Sequence, residues 1–299
     1  MSFKEKVKRV YEDHYKILMI FPIILLLGAF LQIGIQTYTT GDFLNRGVSL
    51  KGGSTITINS VEGINILELE SFLKSNFPND EVSIRTLSVS GKVSGIAIDS
   101  DIQDKTQIEK FVELVGQKVD LKNTSYGVEV MGAALGASFF KQAGIALLVS
   151  FLLMGLVVIA YFRIWIPSIA VIICAFSDIV VTMSVFNLTG MKLSTAGVAA
   201  FLMLIGYSID TDILLTSRVL HRKEGTVMSR IYSSISTGMT MTTTTICVVL
   251  VGLFFVQSET IRQIMLIVLI GMCVDMIMTW IQNVAILRLY LEHKKVNVK

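Results

Sequence analysis

Four aspartates lie inside long apolar stretches of the sequence, where a charged side chain is costly. They are Asp178, Asp210, Asp212 and Asp275. An ionised carboxylate near the centre of a bilayer costs about 2.5–3.5 kcal/mol on insertion scales, so such residues usually face the interior of a helix bundle or a water path. Because burial favours the neutral form of a carboxyl group, these side chains are suited to taking up and releasing a proton. The residue types therefore predict a proton or ion relay.

Asp210 is the strongest relay candidate of the four. It lies in the segment 206–212, which combines a glycine, hydroxyl groups and two acids inside one apolar stretch. The other acids also have simpler interpretations. Asp212 is close enough to the end of its stretch to pair with Arg218, and Asp178 can hydrogen-bond a neighbouring helix. The polar residues predicted to support the relay in this segment are Tyr207, Ser208 and Thr211.

The next apolar stretch begins with a group of hydroxyl side chains. Four consecutive members are Thr242, Thr243, Thr244 and Thr245. They reach about the same membrane depth as Asp210, and a hydroxyl group can donate to a carboxylate or hold a water molecule. A polar seam between these two helices is therefore predicted. The competing interpretation is that small hydroxylated residues only allow the helices to approach closely.

The composition indicates that lipid is the solvent for most of the chain. Of its 299 residues, 53% are hydrophobic and only 16% are charged, whereas soluble domains carry roughly 25% charged residues. A stretch of about 20 apolar residues is long enough to cross the hydrocarbon core as a helix. Six stretches are therefore predicted as transmembrane helices: 17–36, 140–161, 164–186, 193–217, 238–257 and 263–287.

The spans divide the chain into five parts. Residues 37–139, between the first two spans, have an ordinary polar composition, so they are predicted to form a folded domain inserted into a membrane protein. The five parts are a cytoplasmic N-terminus (1–16), a first transmembrane helix (17–36), an extracytoplasmic domain (37–139), a five-helix transmembrane bundle (140–287) and a cytoplasmic C-terminus (288–299).

The basic residues set the predicted orientation, because cytoplasmic loops carry an excess of Lys and Arg. Four segments that six spans would place on one side contain most of them: Lys4, Lys6, Lys8, Arg9 and Lys16; Arg163; Arg218, Arg222, Lys223 and Arg230; and Arg288, Lys294, Lys295 and Lys299. We therefore predict a multi-pass protein of the cytoplasmic membrane, in contact with lipid, with both termini cytoplasmic and the large loop extracytoplasmic.

The inserted domain alternates between strand and helix periodicity. Strand patterns occupy 54–60, 82–89, 93–98 and 126–130, and helical spacing of apolar residues occupies 64–77 and 107–119. The resulting order, βαββαβ, is that of a ferredoxin-like fold. The predicted fold class is thus a polytopic α-helical membrane protein with six transmembrane helices and an inserted α+β ferredoxin-like extracytoplasmic domain.

Catalytic, cofactor and metal functions are not indicated by the sequence. The inserted domain has no Cys or His, and Cys174, Cys247 and Cys273 all fall in apolar stretches, which is typical of small buried side chains rather than of a metal or disulfide site. The net charge of +3 is small and its excess lies beside the spans, which argues against a nucleic-acid partner. We predict a binding protein that is not an enzyme and has no cofactor.

Five segments match the motifs of one known family in order and spacing. They are 45–53, with a Gly-Gly pair before the first strand; 136–143 and 161–163, at the entry and exit of span two; 206–218, in span four; and 229–230, followed by the Ser/Thr-rich start of span five. Together they resemble the SecF family of protein-export membrane proteins, relatives of the resistance-nodulation-division transporters. The resemblance covers nearly the whole chain.

The resemblance implies a SecD-like partner of the same six-span plan, and joint action with the Sec translocation channel on exported unfolded polypeptides, driven by proton flow. The family's acid position aligns with Thr211, whereas Asp210 matches the acid of the SecD form of the motif. A one-residue offset turns a side chain by about 100° around a helix, so the role does not transfer directly. Arg230 matches a family arginine near the start of span five, and the form of the motif indicates an archaeal member.

Two other classes of protein compete with this interpretation. A small-molecule or lipid exporter of the resistance-nodulation-division superfamily has related helices but usually needs twelve spans and two large external domains. An intramembrane aspartyl protease would use Asp210 and Asp275 as a dyad. That class carries a later Pro-Ala-Leu motif, whereas the prolines of this chain are Pro22, Pro78 and Pro167.

Overall fold

The computed structural model describes residues 10–59, 65–78, 80–89, 92–119, 121, 124–222, 224–256 and 258–294. Some residues used in the sequence predictions lie outside these ranges. They are Lys4, Lys6, Lys8, Arg9, Lys223, Lys295 and Lys299, together with residue 60 of the first predicted strand and residue 64 of the first predicted helix of the domain.

The elements follow one another in the order helix, mixed domain, helix bundle. A one-turn helix, Tyr15–Leu18, leads into α1 (Ile20–Thr40), and a second one-turn helix, Val48–Lys51, precedes the inserted domain. The domain consists of β1 (Gly53–Asn59), α2 (Ile66–Asn76), β2 (Val82–Val89), β3 (Lys92–Ser100), α3 (Lys105–Lys118) and β4 (Tyr126–Met131). The bundle consists of α4 (Ala133–Phe162), α5 (Trp165–Leu188), α6 (Thr195–His221), α7 (Val227–Phe255), α8 (Glu259–Ile277), a π-helical turn (Met278–Asn283) and α9 (Val284–His293).

Six helical runs are long and apolar enough to cross a membrane, which confirms the predicted number of spans. The spans are α1, α4, α5, α6, α7 and the continuous run from α8 to α9. Polar residues define where several of them begin. Ser194 accepts a hydrogen bond from the Gly197 amide at the start of α6, and Thr226 caps the first turn of α7.

The inserted domain contains a four-stranded antiparallel sheet in the order β2-β3-β1-β4. Alternation along the strands separates its two faces. The isoleucines of β1 and β3 lie on the face that packs against α2 and α3, where Leu73 and Phe111 complete the core. The intervening residues Thr55 and Asp99 lie on the opposite face, which is turned toward the loop between α5 and α6. A small antiparallel sheet inserted among six spans is therefore confirmed.

Close backbone contacts join the domain to the bundle. The Gly47 amide donates to the Leu193 carbonyl at 2.8 Å, and the Leu193 amide donates to the Asn45 carbonyl at 2.6 Å. A Cβ atom on Gly52 would lie 2.5 Å from the Ala133 Cα, and one on Gly53 would lie 2.2 Å from the Ser100 carbonyl oxygen. The Gly-Gly pair is needed because side chains at this junction would collide with backbone.

Gly53→Ala is expected to destabilise the sheet. Gly53 has φ +124°, outside the regions that L-residues occupy readily, and the added methyl group would overlap the Ser100 carbonyl. The backbone conformation alone costs about 1–3 kcal/mol, so hydrogen exchange of the β1 and β3 amides should become faster. Gly127→Ala is the matched control, because no atom lies within 4 Å of its added Cβ. Equal exchange rates in both variants would contradict this explanation.

An ion-pair network holds the sheet against the membrane-side loop. Asp99 is buried and its carboxylate lies 3.1 Å from Nε of Arg85 and 3.3 Å from Nζ of Lys192. The Thr55 hydroxyl donates to the same carboxylate at 2.7 Å. Because Arg85 is in the domain and Lys192 is in the α5–α6 loop, this one carboxylate connects the two parts. Burial by itself raises the pKa of Asp99, but the charges of Arg85 and Lys192 and these hydrogen bonds lower it by more, so the pKa is below its ordinary value of 3.8.

Candidate functional site

Three of the four intramembrane aspartates meet in the interior of the bundle. Asp178 of α5 and Asp212 of α6 are 0% exposed, and Asp275 of α8 is 4% exposed. Each side chain comes from a different span, so the site exists only when these spans pack together. Asp178 and Asp275 lie close enough for the charge of one carboxyl group to act on the other.

Hydroxyl and amide groups of two spans surround the carboxyl groups. The Ser208 hydroxyl donates to Asp178 Oδ2 at 2.5 Å. Oγ1 of Thr211 lies 3.2 and 3.1 Å from the two carboxylate oxygens of Asp275. The contacts from span six are Thr279 Oγ1 to Asp275 Oδ1, 2.9 Å, and Asn283 Nδ2 to Asp212 Oδ1, 2.7 Å.

The π-helical turn Met278–Asn283 follows directly after Asp275. Such turns inside α-helices occur frequently at functional sites, because the extra residue per turn changes the direction in which side chains point. This turn contributes Thr279 and Asn283, which bond to two different aspartates. The turn thus brings hydrogen-bond donors of one span to both carboxyl groups.

No Lys, Arg or His side chain forms a salt bridge with these aspartates within the described ranges. Three ionised carboxylates in one apolar interior would repel one another and would lack solvation. In addition, Asp178 Oδ1 and the buried hydroxyls of Thr182 and Thr216 have no hydrogen-bond partner in the part of the chain that the structure describes. The site is therefore chemically suited to exchange a small cation such as a proton.

Asp210 lies on a different face of α6 from the cluster. Its side chain is exposed, as are those of Met203 and Tyr207, and Gly206 is exposed as well. These positions are spaced at three and four residues and form one stripe along the helix. Asp212 follows Asp210 by two positions, which corresponds to about 200° around a helix. The structure therefore places the strongest sequence candidate on the outside of the bundle and Asp212 on the inside.

Within the described residues, the hydroxyl groups of Thr242–Thr245 in span five form no hydrogen bond with the aspartate cluster. Thr242 is buried, whereas Thr243 and Thr244 are exposed and Thr245 is half-buried. Thr244 and Thr245 donate to carbonyls one turn earlier in their own helix. α6 turns Ser208, Thr211 and Asp212 toward α5 and span six, so the predicted contact of Thr242–Thr245 with Asp210 is not among the hydrogen bonds of the described residues. The polar contacts of α6 with span five are made by Arg218 instead.

Two basic residues at the α6–α7 junction bind the ends of helices. Arg230 donates to the carbonyl oxygens of Val219, at 2.8 Å, and of Arg222. Arg218 donates to the Ser233 carbonyl at 2.8 Å and to Thr237 Oγ1 at 2.9 Å. Cations near the carboxyl end of a helix are favourable for its dipole. Through these bonds Arg218 packs against span five. Within the described residues it forms no ion pair with Asp212, which was the simpler interpretation of that acid.

Three cluster residues were not found by the sequence reasoning. They are Thr279 and Asn283 of span six and Cys174 of α5, whose Sγ lies 4.0 Å from Thr279 Oγ1. Asp275, Thr279 and Asn283 are four residues apart in succession, so they mark one face of a helix. That polar stripe within an apolar span was the signal that could have identified two of them.

Comparison with known proteins identifies the family of this chain. The family model described as "Protein export membrane protein SecD/SecF, C-terminal" matches residues 111–293. A protein-export membrane protein SecF from Pyrococcus furiosus is 35% identical over 298 residues, which is 98% of this chain and 96% of that protein. The SecF of Methanocaldococcus jannaschii is 33% identical and covers 93% of this chain and 96% of its own length. The chain belongs to the SecF family. These SecF relatives are archaeal, as the motif predicted.

Solved structures share the fold of this SecF-family chain. The crystal structure of SecDF, a translocon-associated membrane protein from Thermus thermophilus, has a TM-score of 0.80 at 19% identity. The alignment covers 95% of this chain but 38% of that one. A heavy metal efflux pump has a TM-score of 0.50 at 9% identity over 87% of this chain. At these identities the likeness concerns the fold alone.

Membership of the SecF family identifies the chain as a multi-pass membrane protein that belongs to protein export. It also accounts for the match of the sequence motifs, because the family model includes span four and the start of span five.

Proposed function

We propose that this chain is an accessory subunit of the Sec export machinery that couples proton movement to polypeptide translocation through Asp178, Asp212 and Asp275. The observation that carries this proposal is the burial of three carboxyl groups from three spans with no cationic partner among the described residues. A polar contact that served only to hold helices together would need one buried carboxyl group, with its hydrogen bonds satisfied. Three together cannot all be ionised cheaply, so a change of protonation changes the packing of the spans.

Each span has a distinct part in the proposed cycle. Protonation of Asp275 would allow it to hydrogen-bond Asp178, and loss of that proton would leave two like charges in contact. Thr211 and Thr279 donate to Asp275 and hold it between α6 and the π-helical turn. Because Asn283 of the same turn holds Asp212, a rearrangement at Asp275 is transmitted to α6. The moving parts are therefore α6 and span six.

The proposed partner is a SecD-like subunit that packs against the exposed stripe of α6. Asp210 and Tyr207 lie on this stripe, and an acid facing hydrocarbon is costly. A second protein that supplies a hydrogen-bond donor would remove that cost. Thr240, Thr243 and Thr244 of the following span, α7, are also exposed. Small hydroxylated residues are common where membrane helices pack closely. This surface gives Asp210 a role different from that of Asp212.

Asp210→Asn is expected to weaken assembly with a SecD-like subunit by about tenfold or more, because a hydrogen bond to a charged group contributes about 1.5–3 kcal/mol. The measurement is the fraction of SecD-like subunit that co-purifies in mild detergent. Asp212→Asn, two residues away on the interior face, should leave that fraction unchanged. If neither variant changes co-purification, or if the wild-type pair does not co-purify, the proposed surface is wrong.

The inserted domain is proposed to be a ferredoxin-like module on the extracytoplasmic side, where it contacts the exported unfolded polypeptide and the Sec channel. The sheet order β2-β3-β1-β4 with two helices on one face supports the ferredoxin-like assignment. The basic residues of the opposite loops, including Arg218 and Arg222, support cytoplasmic termini. The segment boundaries 1–16, 17–36, 37–139, 140–287 and 288–299 belong to the same proposal.

A further inference from the structure

The outer strand of the sheet, β4, carries an unusual amount of exposed apolar surface. Tyr126, Val128 and Val130 are 45%, 40% and 47% exposed. They alternate with Gly127 and Glu129, so their three side chains lie on the same face of the strand. β4 is at the end of the sheet order and pairs with β1 alone among the described strands. It is therefore an edge strand with one apolar face left half-covered.

The free backbone groups of this edge belong to the same three residues. The Asn59 amide donates to the Ser125 carbonyl at 3.0 Å, which makes this a hydrogen-bonded pair of the β1–β4 ladder. Such pairs alternate along an antiparallel ladder. With Ile58 opposite Tyr126 and Ile56 opposite Val128, these β4 residues occupy non-hydrogen-bonded positions. Their amide and carbonyl groups, and those of Val130, point outward. Within the described residues none of these outward groups has a hydrogen-bond partner.

A groove runs beside this edge. It has a volume of about 520 Å³ and lies between β4 and α3. Ile108 and Val112 of α3 form its apolar wall together with the side chains of β4. Its two charged residues, Lys105 and Glu109, are of opposite sign, so the groove has no net charge. The groove is thus complementary to an uncharged, apolar ligand.

We propose that the outer edge of β4 binds an extended, uncharged segment of the exported polypeptide by adding it to the sheet as a fifth strand. This inference rests on the proposed function, since it names the site at which the inserted domain contacts its substrate. The spacing of the outward amide and carbonyl groups matches an extended backbone and no other regular structure. Alternate apolar side chains of the added strand enter the groove.

The composition of β4 favours reversible binding of many sequences. Backbone hydrogen bonds supply most of the affinity in strand addition, and they do not depend on the sequence of the ligand. Gly127 weakens pairing along the edge, as a glycine inside a strand does. An export factor requires binding that is reversible and independent of the ligand's sequence, because its substrates differ in sequence and must leave. A permanent interface with a folded subunit would need neither.

The test uses the full chain in lipid nanodiscs and an uncharged decapeptide that alternates Val and Thr. Binding is measured by fluorescence anisotropy, and the site is located by hydrogen exchange of the β4 amides. The peptide should slow exchange at Val128 and Val130. Val128→Pro removes one outward amide without touching the ladder to β1, so affinity should fall by about tenfold. Glu129→Gln, on the opposite face, is the matched control and should bind normally. A peptide N-methylated at every residue should not bind, because neither of its edges can donate hydrogen bonds.

Each alternative result is decisive for the inference. Full affinity in Val128→Pro with unchanged exchange elsewhere, or protection of other strands in place of β4, would overturn it. Protection of β4 by a purified SecD-like subunit, without protection by the peptide, would identify the edge as a subunit interface and would also overturn it. None of these measurements requires proton coupling or co-purification. Peptide binding at β4 can therefore succeed when the proposed function fails, and the reverse also holds.

Discussion

Asp275→Asn is expected to abolish gradient-driven export while the protein folds and assembles normally. A positioned proton-transfer group typically contributes about 100-fold or more to a rate, so the part of translocation that depends on an imposed proton gradient should fall by at least that factor. Asn retains the size of Asp, and its side-chain oxygen can accept from Thr211 and Thr279. The measurement is export of a secretory protein into inverted membrane vesicles, with and without the gradient.

Thermal stability separates this mechanism from simple damage to the fold. Replacing a buried carboxyl group by a neutral group of the same size removes like-charge repulsion next to Asp178, so the melting temperature should be no lower than that of the wild type. Asp210→Asn is the control for loss of any intramembrane carboxyl group, since its position is exposed. With assembly enforced by fusion to the partner, this control should export normally. Gradient-driven export that survives in Asp275→Asn would remove Asp275 from the relay.

The second large effect is expected at Asp99, where one carboxylate joins the inserted domain to the bundle. Asp99→Asn leaves Arg85 and Lys192 without their anion. Breaking a buried ion pair costs about 3–5 kcal/mol, and because the two cations are 29% and 33% exposed, we expect roughly 2–3 kcal/mol here. The distance between spin labels at exposed positions 67 and 188 should become broadly distributed. Glu81→Gln, which removes an exposed pair with Lys51, should have little effect.

The same network predicts a dependence on the pH on the side of the membrane where the inserted domain lies. The pKa of Asp99 in the folded protein is below its ordinary value of 3.8, chiefly because the charges of Arg85 and Lys192 outweigh the effect of burial. A depressed pKa means that the stabilisation is complete above about pH 4 and is lost as the pH falls through the lower, folded value. The wild-type label distances should therefore broaden in acid. In Asp99→Asn the distribution of label distances should be broad and independent of pH. A narrow, pH-dependent distribution in that variant would contradict the role of Asp99 in joining the domain to the bundle.

Much of the fold was predictable because the membrane imposes simple patterns. A span must be apolar over about 20 residues, and the described helices fall on all six predicted stretches. The predicted strands are also present in the sheet, because apolar and polar residues alternate along them. Ile56 lies on the face that packs in the core, and Thr55 lies on the membrane-side face. The helices extend beyond the predicted spans, however. α4 begins at Ala133 and span six continues to His293, because helical hydrogen bonds persist where the sequence has already become polar.

The site was predicted by residue type but not by direction. The sequence alone identified Asp178, Asp212 and Asp275 as acids that would be costly in contact with lipid. All three are buried inside the helix bundle, which removes them from lipid. It ranked Asp210 first because hydroxyl groups and acids surround it in the chain. The direction of a side chain depends on which neighbours pack around the helix, and one sequence does not contain that information. α6 contacts α5 and span six on the face of Asp212, so the acid two residues earlier remains outside.

The most direct test of proton coupling is proton flux through the reconstituted pair. Proteoliposomes containing this chain and a SecD-like subunit are loaded with a pH-sensitive dye, and a membrane potential is imposed. The relay predicts a flux in the wild type that is absent in Asp275→Asn and in Asp212→Asn but retained in Asp210→Asn fused to the partner. The same flux in wild type and in both interior variants would contradict the account, because protons would then cross without the buried aspartates.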